Sequence, residues 1–144
     1  MKSSGRPWIP RRRQNARETG RMKKDAPNAA NAVRPRLRVL HGDEIALGPG
    51  KADLLVLIGE TGSIREAAER MNMSYMRAWT LVRTINACFR EPVVVSERGG
   101  RQRGGARLTE SGRRALDLYQ KMEAGCLRIT RPMWRELQKL LKGP

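Results

Sequence analysis

The sequence predicts a mainly α fold with a small β component, of the α+β class. Apolar residues recur at helical spacing in four stretches after residue 50, and Ser63, Ser74 and Thr109 stand before three of them as side-chain caps. Two short stretches, 36–47 around Gly42-Asp43 and 93–98 answered by 106–108, have the alternation or the β-branching of hairpin strands. Gly48-Pro49-Gly50, Gly62, Pro92 and the glycines of 99–105 fall between these stretches and separate them.

Residues 1–38 hold 12 Lys or Arg against two acids, Glu18 and Asp25, with Arg11-Arg12-Arg13 in a row and few large apolar groups. Such a segment cannot offset its ordering entropy by burial. Residues 1–35 are therefore expected to form a flexible basic arm, either solvated or in contact with phosphates. Ordered structure is expected from residue 36, where Leu37 and Val39 alternate with Arg36 and Arg38. Gly42-Asp43 turns the chain and Ile45 and Leu47 resume the period of two, which makes a short N-terminal hairpin. Gly48-Pro49-Gly50 ends the strand. Ala52, Leu55 and Ile58, flanked by Leu54 and Leu57, then define a first helix over about 50–61.

Ser63-Ile64-Arg65-Glu66 has capping-box spacing and opens a second helix with Ile64, Ala67, Ala68 and Met71 inward. Asn72-Met73-Ser74 reads as a tight turn. Ser74 caps a third helix, 74–89, whose expected buried face is Tyr75, Ala78, Trp79, Val82, Ile85 and Phe89, and whose outer face carries Arg77, Thr80, Arg83 and Thr84. It ends before Glu91-Pro92, since residues preceding proline avoid the helical region. Val93-Val94-Val95 starts a strand to about Arg98, and the return strand is 106–108. Between them Gly99-Gly100-Arg101-Gln102-Arg103-Gly104-Gly105 suits a tight, mobile hairpin tip.

Thr109 caps the last helix, with Glu110 near its positive end. Leu116, Tyr119, Met122, Cys126 and Ile129 form one stripe, which Met133, Leu137 and Leu140 continue beyond Pro132, where a kink or restart is expected. That stripe is longer than one small domain needs to cover itself, so it is expected to be a homodimer seam.

Over the whole chain 30 Lys and Arg face 14 Asp and Glu, a formal charge of +16 in 144 residues, which favours polyanionic partners. The longest purely apolar run, 54–58, is far short of the roughly 20 residues that span a bilayer, so no membrane partner is expected. The N-terminus has no apolar stretch of signal-peptide type, which points to a cytoplasmic, nucleoid-associated protein. Cys88, Cys126 and the single His41 cannot assemble a metal cage. No cofactor is expected. Without clustered carboxylates or a phosphate-binding glycine motif, no constellation for proton or nucleophilic chemistry exists, and the chain is not expected to be an enzyme.

A helix, a short turn and a second helix with Arg, Thr and Ser outward is the arrangement that places a helix in the major groove of double-stranded DNA. With the Arg/Gly hairpin beside it, the fold expected is a winged helix-turn-helix. Candidate DNA contacts are Ser63, Ser74, Tyr75, Arg77 and Thr80 from the two helices, and Arg98, Arg101, Arg103 and Arg107 from the wing, 98–107, on the backbone or minor groove. Three segments result: the arm 1–35, a DNA-binding domain 36–109, and a helical dimerisation segment 110–144.

These residues resemble the DNA-binding domain of ModE-type molybdate-responsive regulators, related to the LysR-type winged helix. The motifs are Gly62-Ser63-Ile64 with Ala67-Ala68, Met73-Ser74-Tyr75 with Ala78-Trp79, and Gly99-Gly100 to Gly104-Gly105-Ala106 followed by Leu108-Thr109 and Gly112. The resemblance covers roughly residues 37–123. It implies a recognition helix beginning near Ser74, dimerisation through helices off the DNA face, and a sequence-specific transcription regulator. The full-length sensors of that type continue into molybdate-binding β-barrel domains, for which this sequence offers no strands, so molybdate is not expected to bind this chain alone. The competing expectation is a nucleoid-type or RNA-associated basic protein that binds phosphates without sequence preference.

Overall fold

A computed structural model of the chain describes residues 31–97 and 105–143. Eight elements follow in the order β1 (Val39–His41), β2 (Glu44–Leu47), α1 (Pro49–Thr61), α2 (Ile64–Arg70), α3 (Tyr75–Cys88), β3 (Val94–Glu97), β4 (Gly105–Leu108) and α4 (Glu110–Gln138). The two strand pairs form separate antiparallel hairpins, so the class is α+β: four helices with two small sheets. Residues 1–30, most of the expected arm, lie outside the described residues, as does the wing tip at 98–104.

Backbone chemistry accounts for the boundaries. Gly42 takes φ 61°, the left-handed conformation open to glycine, and turns β1 into β2. Pro49 opens α1 where the missing N–H costs nothing, and Gly62 closes it at φ 67° with its N–H on the Ile58 carbonyl. Gly62 also accepts from the Ala106 N–H at 2.9 Å, which ties the end of α1 to β4. Ser63, Ser74 and Thr109 cap α2, α3 and α4, their hydroxyls accepting from the backbone N–H of Glu66, Arg77 and Gly112 at 3.2, 3.1 and 3.0 Å. The capping box before α2 is only half made. Glu66 turns to Arg70 at 2.8 Å, and the Ser63 N–H donates instead to Thr61 Oγ1 at 3.2 Å.

α1 is the central helix, against which α2, α3, β4 and α4 pack, and Leu54, Leu55 and Ile58 are fully buried in it. Ile85 of α3, Val93, and Leu116 and Tyr119 of α4 are the other large side chains fully buried in the core. Burial of each such aliphatic side chain is worth about 1.5–3 kcal/mol relative to exposure. Ala67 and Ala68 are buried on α2 and permit the close approach of the neighbouring helices.

Three sequence expectations are corrected. Tyr75 and Trp79 are not core residues: both are exposed, because Ala78, Val82 and Ile85 suffice for the inward face of α3. Phe89, also expected on that face, is half-buried and extended, just past the end of the helix. Leu116 and Tyr119 do not belong to an outer seam. Tyr119 is 1% exposed and its hydroxyl donates to the Leu37 carbonyl at 2.9 Å, which fastens the segment before β1 onto α4. Burial first, then the carboxylates of Glu123 and Asp53, push its phenol pKa up. Finally, α4 is not restarted at Pro132. Pro132 and Arg128, whose carbonyl loses its helical donor, are both exposed, so water can satisfy that carbonyl.

Candidate nucleic-acid interface

The link between α2 and α3 is compact. Met71 N–H bonds to the Ala67 and Ala68 carbonyls, Asn72 N–H to Glu69, and Met73 N–H to Ala68, all at 3.0–3.1 Å. Asn72 adopts φ 54°, which asparagine tolerates better than most residues. Ser74 then starts α3 at once, so the two helices are joined by a short turn whose Met71, Asn72 and Met73 N–H groups are all hydrogen-bonded.

At 100° per residue, the positions of α3 farthest from buried Ala78, Val82 and Ile85 are Met76, Thr80, Arg83 and Ala87, with Arg77 on one flank and Trp79 on the other; all six are exposed. α3 contains no Asp or Glu, so nothing on the helix itself neutralises Arg77 and Arg83. The Thr80 hydroxyl donates to the Met76 carbonyl at 2.8 Å. It is therefore left as an acceptor, suited to an exocyclic amino group and not to a carbonyl or phosphate. The hydroxyls of Ser63 and Ser74 accept from backbone amides and keep their own protons to donate.

Two aromatic rings on this side carry guanidinium groups. Arg65 of α2 lies over Tyr75 with its carbon 5.1 Å from the ring centroid, and Arg83 lies over Trp79 at 4.8 Å. Among the residues expected as contacts, Ser74, Tyr75, Arg77 and Thr80 thus share the exposed part of α3 and its cap, and Ser63 caps α2. Arg107 stands on β4 opposite Val95, with its Nε 3.2 Å from Glu97 across the hairpin. That pair is solvent-exposed and weak. Arg98, Arg101 and Arg103 lie outside the described residues.

Sequence reasoning left Met76 and Arg83 out of the candidate contacts, although the same helical count that selected Thr80 places both beside it. It also missed Asn86. The Asn86 side chain donates to the Val94 carbonyl at 2.9 Å and accepts from the Val93 and Val94 N–H groups at 2.8 and 3.1 Å, which sets the start of β3 against α3. An asparagine seven or eight residues from its partners gives no periodic signal.

α4 presents a long exposed apolar stripe. Leu118, Met122, Ile129, Met133 and Leu137 are exposed, Cys126 is half-buried, and Leu140, just past the end of the helix, continues the same spacing and is exposed. Their spacing is four, four, three, repeated, which is an 11-residue period close to the helix's own 3.6 residues per turn. Two such helices can lie along each other with little supercoiling. Among the described residues no group of His, Cys, Asp or Glu could hold a metal ion, and no helix is long and apolar enough to cross a membrane.

No family model matches the chain. It is 37% identical over 91 residues to the molybdenum-pterin-binding protein MopB of Rhodobacter capsulatus, which covers 63% of this chain and 34% of that protein. It is 42% identical over 78 residues to the molybdenum transport protein ModE of Azotobacter vinelandii, covering 54% and 29%. To the DNA-binding transcriptional dual regulator ModE of Escherichia coli it is 35% identical over 71 residues, covering 49% and 27%. The chain thus spans about a third of the length of the curated relatives it matches, and none of these three carries an enzyme's name. Over 49–63% of its own length, this chain is therefore similar to proteins named as ModE regulators and as a molybdenum-pterin-binding Mop protein.

Proposed function

We propose that the chain is a sequence-specific, double-stranded-DNA-binding transcription regulator that acts as a homodimer. In this reading α2, the turn and α3 are a helix-turn-helix within a DNA-binding domain 36–109, and α3 enters the major groove. The hairpin of β3 and β4 is the wing, with Arg98, Arg101, Arg103 and Arg107 on phosphates or in the minor groove. The observation that carries it is the exposed face of α3: Arg77, Thr80 and Arg83 stand outward on a helix with no carboxylate, directly after a tight turn. The transcriptional regulators among the relatives support the same reading. No molybdate site is part of it.

The test is the affinity of the full chain for the promoter beside its own gene and for a scrambled duplex, each at two salt concentrations. The expected result is at least about a thousandfold preference for the promoter. Equal affinities with the same steep salt dependence would support the second reading, a phosphate-binding basic protein, which the +16 charge favours.

The exposed stripe of α4 supports a second copy of the chain as its partner, since a lone helix does not keep so many apolar residues in water along one side. Ile129, 68% exposed at the middle of the stripe, is the residue to change. Ile129→Glu is expected to give a folded monomer, measured by sedimentation with circular dichroism as the check on folding, because it places two carboxylates at the seam. A sedimenting dimer would move the interface elsewhere. The same change at Tyr119 would instead damage the fold.

A further inference from the structure

We propose that Arg83, stacked on Trp79, is the guanidinium of α3 that discriminates base sequence, at a guanine edge, and that Trp79 is its positioning residue. This deepens the DNA-binding reading above and rests on it. Trp79 is 37% exposed although the inward face of α3 is already filled by smaller side chains, so its ring is not there to complete the core. What it does instead is support Arg83, one helical turn later, with the guanidinium carbon 4.8 Å from the ring centroid.

Stacking uses the face of a guanidinium and leaves its N–H edge open. Guanine O6 and N7 accept two such N–H groups in one plane, so the fork must arrive in the right plane to be read bidentately. A free arginine samples many rotamers and loses that freedom on binding; one laid on an indole has lost part of it beforehand. Three arginines elsewhere in the fold differ. Arg70, Arg107 and Arg113 each meet a glutamate, at 2.8, 3.2 and 2.9 Å, whereas Arg83 meets no carboxylate among the described residues. Its neighbours on the outward face, Met76, Thr80 and Ala87, carry no charge that would hold it back.

The experiment begins by selecting a preferred duplex from random sequence with the full wild-type chain. Affinities of the wild type, Arg83→Lys, Trp79→Phe, Trp79→Leu and the double variant Trp79→Leu with Arg83→Lys are then measured on that duplex. The same set is measured on copies with each G·C pair exchanged for A·T, and on a scrambled duplex. Arg83→Lys keeps the charge and loses the fork. It is expected to lower the preference about 10- to 100-fold at one G·C position and to change scrambled binding less than about twofold. Trp79→Leu is expected to lower preference at that same position, Trp79→Phe to keep most of it, and the double variant to match Arg83→Lys alone.

Equal losses for Arg83→Lys on preferred and scrambled duplexes would overturn the proposal and make Arg83 a phosphate contact. Additive losses in the double variant would overturn the role of Trp79. Circular dichroism separates any variant that fails to fold, and Trp79→Phe keeps the test open in that case. A wild-type chain that selects no duplex would remove the DNA-reading function itself, a distinct outcome from selective binding unaffected by these variants.

Discussion

Gly112→Ala is expected to destabilise the protein by about 3 kcal/mol or more and to lower its melting temperature by roughly 10 °C or more, measured by circular dichroism or calorimetry. Gly112 is buried in the first turn of α4, with its N–H on Thr109 Oγ1 at 3.0 Å. An added methyl would stand well inside contact distance of the Val93 carbonyl oxygen and 3.0 Å from both the carbonyl carbon and Cγ1 of Val93. The obstacle is backbone, not a side chain able to swing away. Val93 is itself fully buried, its carbonyl accepts the Thr109 N–H at 3.0 Å, and its N–H is held by Asn86. α4 would have to lift from β3, which exposes Leu116 and loosens Tyr119. A melting temperature within about 2 °C of wild type would show that this junction yields freely. Gly50, which has open space around it, is the control, and Gly50→Ala is expected to be neutral or slightly stabilising.

The second large effect is expected at Asn86. Asn86→Ala removes three hydrogen bonds at once and leaves two backbone donors and one acceptor without partners at a part-buried site, a loss of about 2–4 kcal/mol. The damage has a direction. β3 is positioned against α3 by this side chain, so the hairpin of β3 and β4 should lose hydrogen-exchange protection before the helices do. Asn86→Asp retains the acceptor for the Val93 and Val94 N–H groups but sets a carboxylate oxygen against the Val94 carbonyl, and should cost part of the loss. Uniform protection across hairpin and helices in Asn86→Ala would show that the strand is held by its other contacts. In the DNA-binding reading the same substitution shifts the wing relative to α3 without touching a contact residue.

Much of the architecture is legible in the amino-acid order. Ser63, Ser74 and Thr109 announce the three helix starts because a cap acts within three residues of the backbone it serves. Gly42-Asp43 and Gly62 announce a turn and a helix end because left-handed backbone selects glycine. The two hairpins follow from alternation, β-branching and the breaks between them. The candidate interface is partly legible: Ser74, Arg77 and Thr80 come from helical counting, while Arg83 stands outward in that same count and Met76 is passed over. Asn86 is invisible, because its partners at Val93 and Val94 are brought to it only when the chain folds back.

Trp79 and Tyr75 show where local reading stops. Apolar residues at helical spacing name a face, but not what covers it, and α3 closes its inward face with Ala78, Val82 and Ile85. The aromatics are therefore free to support Arg83 and Arg65 from outside. The same ambiguity runs along α4, where one sequence stripe divides into two. Leu116 and Tyr119 turn into the chain's own core, and Met122, Ile129 and Met133, joined by Leu118, remain outside.

What the sequence by itself determined is the order, type and ends of the elements, together with the cationic, acid-free composition of α3, since these depend on side chains and backbone close together along the chain. Which apolar groups face inward, which arginines keep a carboxylate and which lie on a ring, and how β3 is held to α3 were decided by tertiary structure alone. The physical reason is that burial and pairing depend on distances between residues far apart in the chain, such as Tyr119 and Leu37, and no periodicity encodes them.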